Sequence, residues 1–192
     1  MVVRTRENRY NALTMLPFFF LLRYSTDNTF LQASIAFVAL TGCVHHWWIQ
    51  NTFFSFLDYV AIACLLCALS AFIEDQQTRW LFLAIVGIQM CVACYLYLTT
   101  PSYFLRPQAL TFSNGVLVAF LLYACRASLR KETWQWAGVL TVLFLTSAYH
   151  WNRDAKYRTV LKTYLWPAVH LLCAVLLYHV LRDFSKRKTM IR

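Results

Sequence analysis

Charge is nearly absent from most of this chain. Between Thr29 and Leu181 the sequence runs in apolar stretches, each about as long as a bilayer crossing, separated by short clusters of charged and turn-forming residues. A soluble domain carries about 25% charged residues; here the figure is 14%, against 60% hydrophobic and 17% aromatic. Few charges and many aromatics exclude a disordered chain, and four Gly and four Pro exclude a collagen-like one. In hydrocarbon every backbone polar group must be bonded internally, which leaves helices or closed barrels. A barrel needs alternating strands of about ten residues, and the runs do not alternate. The expected fold class is therefore all-α: a polytopic membrane protein, with a seven-transmembrane helix bundle as a single domain over residues 1–192.

The expected spans are Asn11–Leu22, Thr29–Trp48, Thr52–Ile73, Arg79–Leu98, Ala109–Cys125, Trp134–Trp151 and Val160–Leu181. The first is short, lies between Arg9 and Arg23, and reads either as a genuine span or as a signal-peptide core. No small-x-small cleavage site follows it, which favours the span. The net charge of +10 falls in links and tail. No basic run interleaves with aromatics in a way that suits base stacking, so no nucleic-acid partner is expected. Dividing the Lys and Arg by these spans puts eight on the N-terminal side and ten on the other, including Lys186-Arg187-Lys188. The positive-inside rule then places the C-terminus in the cytosol.

Seven cysteines lie within the apolar stretches. Cys64-x-x-Cys67 and Cys91-x-x-Cys94 have the spacing of paired zinc ligands, but their Ala, Leu and Val neighbours suit small packing residues at helix contacts.

In so apolar a chain the ionisable groups inside the spans carry the most information, because each is expensive in hydrocarbon unless paired or functional. His45 and His46 end the second span, Asp58 lies a turn or two into the third, His150 ends the sixth, and His170 sits in the first half of the seventh. Alternating span direction brings all five towards the N-terminal side; His179 falls towards the other. Taken singly, a histidine at a helix end is ordinarily interfacial and a buried Asp ordinarily a hydrogen-bond partner. Together they suit a metal or acid–base site between helices. Thr41-x-x-x-His45 adds a hydroxyl one turn before an imidazole, on one helix face.

This pattern resembles the CREST superfamily of seven-span membrane proteins, which includes alkaline ceramidases, adiponectin receptors, lipid-remodelling hydrolases acting after GPI attachment, and myomaker-type proteins. The family pattern is Ser-x-x-x-His ending span two, an Asp opening span three, and His-x-x-x-His in span seven. Thr41-x-x-x-His45 stands for the first, Leu57-Asp58-Tyr59 with Ile62-Ala63 is similar to the second, and Trp166-Pro167-Ala168-Val169-His170 occupies the place of the third. The doublet His45-His46 also resembles the His pair of the myomaker-like members. The resemblance implies a zinc ion held by three histidines, with Asp58 as base and Thr41 helping to position a water that attacks an amide or ester carbonyl of a membrane lipid. It further implies a multi-pass protein of the endoplasmic reticulum or Golgi.

Trp166 stands where the family has its first span-seven histidine, which removes a ligand, and a catalytic zinc keeps three protein ligands plus water. His150 or His46 would have to complete the set with His45 and His170. Two functions stay open: a zinc-dependent lipid amidase or esterase, with Arg153, Lys156, Arg158 and Lys162 near a phosphate-bearing headgroup, or a non-catalytic membrane protein of the same architecture, receptor-like, fusion-related or a scaffold. A haem carrier is a third possibility, disfavoured because Asp58 would have no role and His179 no partner.

Seven spans place Thr100 with the N-terminus and Thr189 across the bilayer. Single cysteines at these two positions, in a background free of native cysteine, should label from opposite sides. Labelling from one side alone would remove the seven-span topology.

Overall fold

Runs of apolar side chains wind as helices here, and polar residues in the links set where the helices begin. The computed structural model describes residues 11–24, 28–47, 51–105, 108–151 and 165–191. The described residues are all-helical with no strand. The helices are α1 (Pro17–Phe20), α2 (Thr29–Trp47), α3 (Thr52–Leu69), α4 (Gln76–Thr99), α5 (Gln108–Ala124), α6 (Lys131–Trp151) and α7 (Trp166–Ile191). Asn28 Oδ1 accepts from the Leu31 N–H at 3.0 Å, Asn51 Oδ1 from Phe53 at 3.0 Å, and Asp75 Oδ2 from Thr78 at 2.7 Å. Each carboxyl or amide oxygen thereby meets an N–H left without an intrahelical partner in a first helical turn. Hydrogen bonds from the Thr78 hydroxyl and N–H also hold the Asp75 carboxyl below its ordinary range.

Among the described residues, three helical stretches are long and apolar enough to cross a membrane: Thr52–Phe72, Gln76–Thr99 and Trp166–Ser185. Ala109–Ala124 is apolar but shorter, while Gln32, Ser34, Thr41, His45 and His46 make α2 more polar. The outer surface of α4 shows what solvent it meets. Leu81, Ile85, Ile88, Val92, Tyr95 and Leu98 are exposed at three- and four-residue spacing, whereas Phe82, Val86 and Ala93 are buried. Both faces of the helix are apolar. In water that outer stripe would be an aggregation site; in hydrocarbon it is ordinary surface. Trp47, Trp80 and Trp134 lie exposed near helix ends, where indole rings suit the membrane–water boundary. The chain is an all-helical membrane protein.

The first expected span is not a continuous helix. Residues 11–13 are helical, 14–16 form a turn, α1 follows, and Leu21–Tyr24 is a 3₁₀ helix. Pro17 has no N–H to continue a helix from residues before it, and it opens α1 at the first-turn position it tolerates. Tight bonds from Thr14, Met15 and Leu16 N–H to the carbonyls three residues earlier wind this stretch. Three residues per turn superimposes every third side chain, and Ala12, Met15, Phe18 and Leu21 are all buried. The segment packs on α2 and α7. Met15 can lie close to α2 because Gly42 has no side chain: a Cβ there would come within 2.5 Å of Met15 Cε.

The expected start of the last span, at Val160, falls outside the described residues. Among the described residues α7 runs from Trp166, with Pro167 beside its first residue, and 152–164 lie outside them.

Helix α2 packs along α3, α3 along α4, α4 along α5, and α6 along α7. The first segment, α2, α3, α4, α5 and α7 share one core, which includes Phe18, Ile35, Ala61, Phe82, Leu117 and Leu177. A smaller cluster of Leu122, Ala137, Leu176 and Val180 joins α5, α6 and α7. Gly115 gives Phe144 of α6 room against α5.

One carboxylate ties the far end of α7 to the start of α6. Asp183, with its side chain 0% exposed, lies 3.7 Å from Arg130 Nε and 3.4 Å from an Arg182 guanidinium nitrogen. Its Oδ2 accepts from the Arg130 backbone N–H at 3.0 Å and from the Thr133 hydroxyl. A carboxylate on another helix thus caps α6, which carries only Glu132 as an acidic residue in its first turn. Asp183→Ala should destabilise the protein by about 3 kcal/mol, and Thr133→Val by about 1 kcal/mol. Thermal unfolding in detergent measures both; an unchanged midpoint for Asp183→Ala would show that the cap contributes nothing.

Candidate functional site

The end of α2 meets the second turn of α7 through His46 and His170 and the second turn of α3 through Thr41 and Asp58, and the first segment packs on both α2 and α7. His46 is buried at 5% exposure, with its ring centroid 4.6 Å from that of His170 and the planes tilted by 46°. His45 is half-buried, its ring 4.9 Å from His46. Successive residues on a helix point about 100° apart, so only one of the doublet can meet α7 squarely. His46 does so. The Nδ1 atoms of His45 and His46 are buried without a hydrogen-bond partner.

Thr41 is buried one turn before His45. Its hydroxyl lies 2.8 Å from the Phe37 carbonyl, 3.4 Å from that of Val38, and 3.3 Å from Asp58 Oδ1. Bonding back to its own helix holds the hydroxyl in one rotamer while its oxygen stays within reach of α3. Thr41 and Asp58 therefore form a direct pair between helices, in the half of the bundle that holds the histidines. Both ion pairs among the described residues belong to Asp183 at the opposite end, and none involves Asp58.

Trp166 follows the helical spacing. It lies one turn before His170, and the two rings are 5.9 Å apart. The indole occupies space beside the imidazole, and its N–H can donate but cannot bind a metal. His150 sits in the last turn of α6, where the side chains lie outside the described residues. The loop cations Arg153, Lys156, Arg158 and Lys162 also lie outside them. His179 stands apart, its ring 6.1 Å from Trp136 and 5.3 Å from Tyr178.

The described side chains alone do not complete a catalytic zinc site, and the His150 side chain lies outside them. Two imidazoles are in contact, a third lies beside one of them, and the carboxyl of Asp58 is bonded to Thr41. Among the described residues no group of three or more His, Cys, Asp or Glu side chains is arranged to hold a metal ion. Cys64 and Cys67 on α3 and the exposed Cys91 and Cys94 on α4 are free thiols.

Thr14 belongs to this site and carries no sequence motif. Its Oγ1 is 3.0 Å from His170 Nδ1 and 2.6 Å from the Asn11 carbonyl. Asn11 and Thr14 are polar residues three apart in an otherwise apolar run, the one hint the sequence offers. Cys43 Sγ also reaches the Ala12 carbonyl, at 3.3 Å, and ties the same segment to α2. No family model, curated protein or solved structure matches the chain.

Thr41→Ala would leave Asp58 without its hydroxyl partner, a loss of about 1–3 kcal/mol for a buried polar group. Thr41→Ser keeps the hydroxyl and should cost about 0.8 kcal/mol for the one buried methyl. Equal destabilisation by Ser and Ala would show that the methyl group, not the hydroxyl, matters.

Proposed function

We propose that this chain is a CREST-like, seven-span membrane protein whose histidine–carboxyl cluster receives the polar group of a membrane lipid, and that it acts without the family's complete zinc chemistry. The contact of His46 with His170, with Trp166 packed against His170, carries this reading. An indole in the place of an imidazole removes a ligand, while its N–H can still donate a hydrogen bond. The neighbouring Thr41–Asp58 pair supplies a hydroxyl and a carboxyl for hydrogen bonding to a lipid headgroup or backbone carbonyl. The role is receptor-like or scaffolding, in a membrane of the endoplasmic reticulum or Golgi. The small Lys and Arg excess supports a cytosolic C-terminus.

The second reading is hydrolysis of a lipid amide or ester, and the Thr41–Asp58 hydrogen bond favours it. A hydroxyl and a carboxyl held together can orient a water and accept its proton. Zinc would supply polarisation of the carbonyl and a more acidic water, but only if His45 or His150 joined His46 and His170.

Metal analysis of detergent-purified protein separates the two. The native chain should hold well under one zinc per molecule, and Trp166→His should raise the content. Lipid extracted with native protein should be depleted in Asp58→Leu and His46→Leu forms of unchanged helicity. One zinc per native chain, lost in His150→Ala, would overturn the non-catalytic reading in favour of a rearranged zinc hydrolase. Equal lipid retention by all forms would remove the cluster as a lipid site.

A further inference from the structure

The Thr14 hydroxyl has one hydrogen and two close neighbours. Oγ1 is 2.6 Å from the Asn11 carbonyl oxygen and 3.0 Å from His170 Nδ1. A carbonyl oxygen has no hydrogen to give, so the shorter contact exists only if Thr14 donates to it. The two lengths agree with that assignment: O–H···O bonds cluster near about 2.7–2.8 Å and N–H···O bonds near about 2.9–3.0 Å. Once its hydrogen is committed to Asn11, Oγ1 can meet His170 only as an acceptor. Nδ1 must then carry the ring hydrogen.

We infer that Thr14 is a positioning residue that holds His170 as the Nδ1–H tautomer, so that Nε2 carries the ring's lone pair. A neutral imidazole has one donor and one acceptor nitrogen, and the bond made by one decides the role of the other. The ring is held by other contacts as well. His46 lies at 4.6 Å and Trp166 at 5.9 Å between centroids, which limits rotation, but neither contact selects a tautomer. The Asn11–Thr14 geometry is local and built in. The Thr14 N–H also bonds to the Asn11 carbonyl, at 3.2 Å, so the tight turn itself brings hydroxyl and carbonyl together. Burial of Met15 on Gly42 and the Cys43–Ala12 contact fix that turn against α2.

The tautomer also narrows what the site can take. A lone pair at Nε2 calls for a hydrogen-bond donor, such as a lipid hydroxyl or amide N–H. This ligand class rests on the lipid-binding reading proposed above; the tautomer does not.

Ring-nitrogen NMR on the full chain labelled with ¹⁵N-histidine, delipidated in detergent with a chelator present, tests the inference. The His170 signals are assigned by their loss in His170→Gln. The native protein should show a protonated, pyrrole-type Nδ1 and an unprotonated, pyridine-type Nε2. Thr14→Ser should keep that pattern, and Thr14→Val should lose it, with Nε2 becoming protonated in part or all of the population. A pyridine-type Nδ1 in the native protein would overturn the inference, as would an unchanged pattern in Thr14→Val. If Thr14→Val fails to fold, the native and Thr14→Ser spectra still decide, because a pyridine-type Nδ1 in either contradicts it. No lipid is present, so failure of the lipid-binding reading leaves this result unchanged.

Discussion

In hydrocarbon a polar side chain has no water to turn to, so it must find its partner in the protein. Much of the architecture follows from that. Thr41 meets Asp58 between α2 and α3, Tyr59 meets Thr111 between α3 and α5, and Gln89 of α4 meets both Ser113 and Asn114 of α5. Asp183 of α7 meets Thr133 of α6, and Thr14 meets His170 of α7. Nearly every pair of packed helices is joined by one such contact. Each contributes about 0.6–2 kcal/mol. Their larger effect is on rotation and register, since a helix that is apolar all round could otherwise turn in place with little change in burial.

The two ends of the bundle use polarity differently. At one end, Asp183 is a fully bonded carboxylate, with two guanidinium groups, a hydroxyl and a backbone N–H around it. Its lone pairs are committed, and its role is structural. At the other end His45 and His46 keep buried ring nitrogens without partners. Buried polar atoms left unpaired cost free energy, and His179 Nδ1 and Arg182 Nε near the Asp183 end are in the same state.

The first segment joins that end together. It is too short and too interrupted at Pro17 to behave as a full-length helix, yet its buried side chains recur every three residues and enter the main core. It also inserts Thr14 beside His170. A stretch that looks like the weakest of the expected spans therefore sets the chemistry of a ring that lies 156 residues further along the sequence.

The described helices α2 to α6 follow the apolar runs to within a few residues, because runs and links are local chemistry. The caps at Asn28, Asn51 and Asp75 came only with the structure, and Asp75 starts α4 at Gln76, three residues before the expected Arg79. Alternation of direction also pointed to the end where His46 meets His170 and where Thr41 meets Asp58. Rotation was not legible in the sequence. With apolar residues on every face, periodicity could not say whether His45 or His46 turns inward, nor that Gln89 faces Asn114; packing decided both. The pairing of Thr14 with His170 was further out of reach. It needs the tight winding before Pro17, the space left by Gly42, and the approach of α7, three features that only the folded chain brings to one point.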